Sequence, residues 1–184
     1  MNYFTIDRKS DDGLTMIYNS DLISGENVWQ IISPFLCDTD ATKLNTFFES
    51  LAAITMSGYV AETAGEDWDK YGFEDYYLRL AMFQAELTEE GEPVIKENYP
   101  SQILIVGNPV EGSDDRYAIL YSMHDDSGKL LESVDLKSLK VYTISSASVN
   151  LLRTDAMDIA NLSFAMQHID NMNSIDITIR GQKE

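Results

Sequence analysis

Thiols and imidazoles are almost missing from this chain of 184 residues, and each shortage removes a class of chemistry. With Cys37 as the single cysteine, neither an internal disulfide nor a zinc centre built from several thiolates can form. The two histidines, His124 and His168, fall in no H-x-x-x-H or H-E-x-x-H spacing. A metal would have to recruit carboxylates from elsewhere, so no metal or other cofactor is expected. Bases are scarce too. Lys and Arg number 13 against 31 Asp and Glu, a formal net charge of −18 that repels nucleic-acid backbones and anionic membrane surfaces. No apolar run approaches the roughly 20 residues of a membrane-spanning helix, and no basic-then-apolar leader precedes Tyr3. Phosphate-cradling Gly-rich loops and a G-x-S-x-G nucleophile elbow are likewise missing from the sequence.

What remains is an ordinary globular composition, 44% hydrophobic and 24% charged, long enough for one domain with a substantial core. "YFTIDR" and "LTMIY" alternate around the turn "DDG", and "VWQIIS" runs as a strand into Pro34, where it must stop. A helix follows. Asp38, Thr39 or Asp40 can cap it, and Leu44, Phe47, Phe48, Leu51 and Ile54 recur at helical spacing up to an expected end at Ser57-Gly58. "YVAE" then returns as a strand, and the polar stretch from Glu62 to Lys70 is a connector. Beyond it the strand pattern resumes in "YYLRLAMFQAEL", "SQILIVG", "RYAILYSM" and "KVYTIS", before a second, weaker helix capped by Ser145 or Ser146. "MDIANLSFAMQHI" reads as a further helical turn and "NSIDITIR" as a closing strand resembling "NYFTIDR".

The fold class this implies is α+β, mainly antiparallel β meanders with two main helices. Strand, cap, helix, strand recurs in the same sense in both halves, compatible with two degenerate β-β-β-α-β halves. The expected organisation is one domain over 1–184, with packed lobes at 1–62 and 76–184 joined by the connector 63–75.

Candidate chemistry concentrates in "DWDKYGFEDYYLRLAMF", residues 67–83, where rings and carboxylates crowd together. Asp67, Asp69, Glu74 and Asp75 invite a glycosidase reading beside rings that could stack on sugar. Such an enzyme needs two carboxyls about 5 Å or about 6.5–9.5 Å apart across a cleft. Among so many acids such pairs arise by chance, and no catalytic residue is assigned. "DRKSDDG" and "DTD" lack the order of a calcium loop, and His124 beside Asp125-Asp126 reads as an exposed residue at a turn. Cys37 reads as a small hydrophobe ahead of the helix.

Taken in order, Trp29-x-Ile31-x-x-Pro34, the helix "DATKLNTFFESLAAITM", "YVAE", "KYGFED", "ILIVGN" and "RYAILYS…VYTISSASVNLL" resemble domain of unknown function 4340 over about Phe4 to Arg180. Phe73 stands where that family has Leu, and the family's following Pro is missing. The resemblance implies a bacterial, extracytoplasmic domain, anchored in the membrane by an upstream segment, with some members near gliding-motility-like ABC transporter components. It brings no catalytic residues. It also makes Tyr71, Gly72 and Phe73 a structural corner, leaving Trp68 with Asp67 and Asp69 as the expected surface contact. The function expected is therefore a non-catalytic module binding a protein or envelope component, accessory to a transport or envelope system. The alternative is a carbohydrate-binding or carbohydrate-active domain using residues 67–77.

Overall fold

The computed structural model describes residues 1–20, 27–88, 93–96, 99 and 101–161. The expected strand "NSIDITIR" and His168 lie outside them. Among the described residues the chain is α+β, built on one nine-stranded antiparallel sheet and a separate two-stranded ribbon.

The first meander comprises β1 (Tyr3–Arg8), β2 (Asp11–Ser20), β3 (Asn27–Ser33) and a two-residue β4 (Cys37–Asp38). Pro34 stops β3 as expected, with a cis Ser33–Pro34 bond, and Cys37 pairs with Ile31. Helix α1 (Ala41–Ala52) begins at Asp40, whose carboxylate accepts the Thr42 and Lys43 amides at 2.9 and 3.0 Å. That satisfies two of the donors every helix start leaves unpaired.

The helix stops earlier than its sequence suggests. Ser57 and Gly58 do not end it but belong to β5 (Met56–Ala61), where Gly58 lies opposite Thr143. Apolar spacing alone cannot show this, because Ile54 remains in register with the helix while packing as chain that leaves it.

After the connector, β6 (Leu78–Phe83) lies beside β1, the ribbon β7 (Ala85–Leu87) and β8 (Pro93–Ile95) branches off, and β9 (Gln102–Pro109), β10 (Arg116–Tyr121) and β11 (Val141–Ile144) complete the second meander. "YYLRLAMFQAEL" is thus two strands, divided at Gln84, with only the first in the main sheet. Ser145 caps α3 (Ser146–Leu151) and Asp155 caps α4 (Ala156–Ile159).

The sheet order is β4-β3-β2-β1-β6-β9-β10-β11-β5. Read outward from the β1–β6 contact, each half contributes its strands in chain order, and each fourth strand leads to a capped helix. The halves therefore have four sheet strands, not three, before the helix. β5, from the first half, crosses over to pair with β11 of the second. No sheet boundary falls at residues 63–75; strands of both halves share one hydrogen-bonded ladder.

Both faces of this ladder are covered, which is why "ILIV" in β9 is apolar at successive positions. One face, with Phe4, Ile6, Met16, Leu80, Val106 and Ile144, receives Leu44 and Phe47 of α1 and Leu152 after α3. The other, with Ile17, Phe83, Ile105 and Ile119, is covered by Trp68, Tyr71 and Phe73.

Candidate functional site

The aromatic corner comes first, since the sequence points to it. A 3₁₀ turn (Gly65–Asp67) leads into the single helical turn α2 (Trp68–Tyr71), closed by Gly72 in the left-handed region at φ 72°. A Cβ at Gly72 would sit 2.4 Å from the side chain of Asn108, whose amide donates to Lys70 O at 3.0 Å. Facing it, a Cβ at Gly107 would lie 2.0 Å from Tyr71 O. Two glycines thus let the corner's backbone press directly onto β9. The rings follow inward: Tyr71 meets Tyr117 edge-on at 4.8 Å, and Trp68 meets Phe73 at 5.4 Å.

The corner at Tyr71, Gly72 and Phe73 is accordingly a packed element. Trp68 is corrected: it is only 9% exposed and packs with the rings of the second core cluster, so it does not stand out as a surface ring. Its apolar body is drawn under by the same collapse that buries Tyr71 and Phe73. Asp67 and Asp69 do remain exposed. Tyr71 and Phe73 are sealed beneath the connector, while a cleft of about 590 Å³ beside them is lined by Trp68, Asp69, Phe73, Glu74, Tyr76 and Tyr121.

His124 also departs from expectation. It is 8% exposed rather than a solvent-facing turn residue. Its Nε2 lies 3.0 Å from Lys96 O, a pure acceptor, so Nε2 carries a proton. Nδ1 lies 3.1 Å from Ser101 Oγ, which itself accepts the Met123 amide at 2.7 Å. A serine against an imidazole suggests a nucleophile and its base, yet Ser101 is 1% exposed and no substrate carbonyl can reach it. The contacts tie Lys96 and Ser101 to the stretch just after β10. Sequence could not reveal it, since the partners lie 23 and 28 residues away.

The feature that periodicity missed is an apolar groove of about 570 Å³ on the helix side of the sheet. Phe48, Leu51 and Ile54 form one wall and Met56 of β5 continues it. Leu80 and Met82 of β6, Leu104 of β9 and Leu120 of β10 form the floor, with Met1 at the rim. Leu120 is 49% exposed, a large apolar side chain left in solvent. Gln102 is the one polar residue in the lining, and no charged side chain of the described residues lines it, in a chain of net charge −18. β5 itself is an outer strand of the sheet, bonded to β11 on one side, with Tyr59 and Val60 exposed. Alternation does put Leu80 and Met82 on one face, in register with Leu104 and Leu120, but it carries no signal that α1 leaves that face partly uncovered.

Electrostatics near β5 are those of a surface network. A hydrogen bond and ion pair from Lys140, helped by the Tyr59 hydroxyl, hold the Glu62 carboxyl below its usual range. Among the described residues no cluster of three or more His, Cys, Asp or Glu side chains is placed to hold a metal ion. No described helix is long and apolar enough to cross a membrane.

Comparison with known proteins returned no match of this chain to any family model, curated protein or solved structure.

Proposed function

We propose that this protein is a non-catalytic binding module whose groove takes an apolar segment of a partner protein. The observation that carries this is the continuity of the groove with the outer strand β5, both sharing Met56. A segment seated there gains apolar burial from the groove and main-chain hydrogen bonds from the strand. Met1, Met56 and Met82 suit the role, being unbranched and able to repack around differing side chains. The strong negative charge of the molecule favours an occupant whose apolar residues are flanked by bases. The burial of Ser101 supports the non-catalytic reading, because it keeps the one serine–imidazole contact among the described residues away from substrate. The resemblance to domain of unknown function 4340 supports an extracytoplasmic, membrane-anchored setting, with the partner a component of an ABC-type transport or envelope system.

Panning a random peptide library against the protein tests the groove. Selected peptides should combine several large apolar residues with Lys or Arg, and Leu120→Asp should weaken their binding at least about tenfold, the loss of one buried apolar contact plus the cost of a buried charge. Peptides that bind Leu120→Asp and the native chain equally would overturn the reading.

A further inference from the structure

At the opposite ends of the strands that floor the groove, where β6 and β10 begin, positive charge gathers against the trend of the molecule. The whole chain has five arginines, Arg8, Arg79, Arg116, Arg153 and Arg180. Two of them, Arg116 and Arg153, converge on Tyr77, and Arg8 is tied to the residue after Arg153. The guanidinium carbon of Arg116 lies 3.6 Å from the centre of the Tyr77 ring, and that of Arg153 lies 5.8 Å from it. Arg153 also donates to the Tyr77 hydroxyl at 2.7 Å. Arg8 ends β1, opposite Leu78, and donates to the carbonyl of Thr154, next to Arg153, at 2.6 Å.

Carboxylates do not balance this cluster. Asp11 pairs with Arg8 at 3.2 Å, and among the described residues no carboxylate lies within ion-pairing distance of Arg116 or Arg153. Burial works against ionisation of Asp11, but the Gly13 amide together with Arg8, Ser10 and Arg153 holds its carboxyl below the usual 3.8. One carboxylate thus feels both Arg8 and Arg153.

Structural roles account for part of the arrangement. Arg116 donates once, to Gly107 O at 2.8 Å, and Arg153 follows the C-terminus of α3, where a cation is favoured. Among the described residues, however, each uses only one of its five N–H donors. Arg8, only 7% exposed in its side chain, leaves its Nε without a hydrogen-bond partner among the described residues. In a chain with 31 acids, a corner that sets two arginines on one ring with a third close by, and among the described residues pairs only Arg8 with a carboxylate, is electrostatically incomplete.

We infer that this corner, bounded by Arg8, Tyr77, Arg116 and Arg153, is a binding site for a small oxyanion, a phosphate or carboxylate group held by Arg116 and Arg153. Guanidinium forks match the paired oxygens of such groups, and the Tyr77 ring holds the Arg116 guanidinium in place beneath it. The site is separate from the groove and does not depend on what the groove binds.

Titration of the ¹⁵N-labelled protein with inorganic phosphate, and in a parallel series with acetate, tests this at ionic strength held constant with chloride. Saturable shifts confined to the amides of Arg116, Arg153, Thr154 and their neighbours are expected in at least one series. Saturation by phosphate alone assigns a phosphoryl ligand, and saturation by acetate alone assigns a carboxylate. Arg153→Gln, on the exposed side, should weaken binding about tenfold without unfolding the corner, as one charge-assisted bond is lost, whereas Lys129→Gln in the 125–129 turn should leave it unchanged. Shifts that fail to saturate with either anion, or saturation that Arg153→Gln does not alter, would show the cluster to be structural only.

Discussion

At the level of single residues, close backbone contact decides more than side-chain chemistry. Gly107 and Gly112 both follow the apolar run of β9 and look alike in sequence, as turn glycines of "IVGNPVEG". Their surroundings differ completely. A methyl at Gly107 would meet Tyr71 O at 2.0 Å, while Gly112, at φ 74°, has open space around it. Gly107→Ala should therefore destabilise the protein by about 3 kcal/mol, the upper range for overpacking a tight contact. Gly112→Ala should cost about 1 kcal/mol, for the left-handed backbone alone. Urea unfolding of the two variants measures the difference, and equal losses would mean that the corner yields and does not press on β9. His124 shows why such distinctions are illegible beforehand. Its neighbours Asp125-Asp126-Ser127-Gly128 do make the expected turn, with the Asp125 carboxylate accepting from Ser127 and Lys129. The imidazole is held instead by Lys96 and Ser101, which the tertiary fold brings to it.

Among elements, those whose signals are local were readable and those completed by distant partners were not. Helix α1 was legible because cap and apolar stripe lie within one stretch, Asp40 through Phe48. β4 escaped notice because two residues carry no period; it exists through Cys37 and Asp38 pairing with Ile31 and Gln30. The stretch from Glu62 to Lys70 read as a polar connector and Tyr71, Gly72 and Phe73 as a corner, yet the rings of Trp68, Tyr71 and Phe73 together serve as cover for a sheet face. The capping comparison between halves makes this testable. Asp40 caps a helix of 12 residues and Ser145 one of 6, each through its own side chain. Asp40→Ala and Ser145→Ala should each lower stability by about 1 kcal/mol. Amide exchange should then separate them: losing the Asp40 cap loosens the first turn of α1 alone, whereas losing the Ser145 cap exposes most of α3, which has less than two turns to fall back on. Exchange confined to one turn in both variants would contradict this account of α3.

Across the whole molecule, the repeated order of strand, cap and helix was visible in the sequence, but the way the halves join was not. Lobes separated by a connector would suggest independent stability. The ladder argues otherwise, because β1 pairs with β6 along six residue positions and β5 crosses to β11, so each half completes the other's sheet. Unfolding either half would strip the central strand of the other and leave its apolar face, Phe4 and Ile6 or Leu78 and Leu80, in water. Each of those side chains loses about 1.5–3 kcal/mol of burial when exposed, so four of them outweigh a large part of a typical domain's stability of about 5–15 kcal/mol. The two tryptophans report on this, as Trp29 sits on β3 of the first meander and Trp68 on the cover of the second. Trp29→Phe and Trp68→Phe, each retaining one reporter, should unfold in urea with the same slope, and their midpoints should differ only by the change in stability that circular dichroism measures on the same samples. A fluorescence transition displaced from the circular dichroism transition in either variant would mean that the meanders unfold separately and that the shared ladder is weaker than its pairing implies.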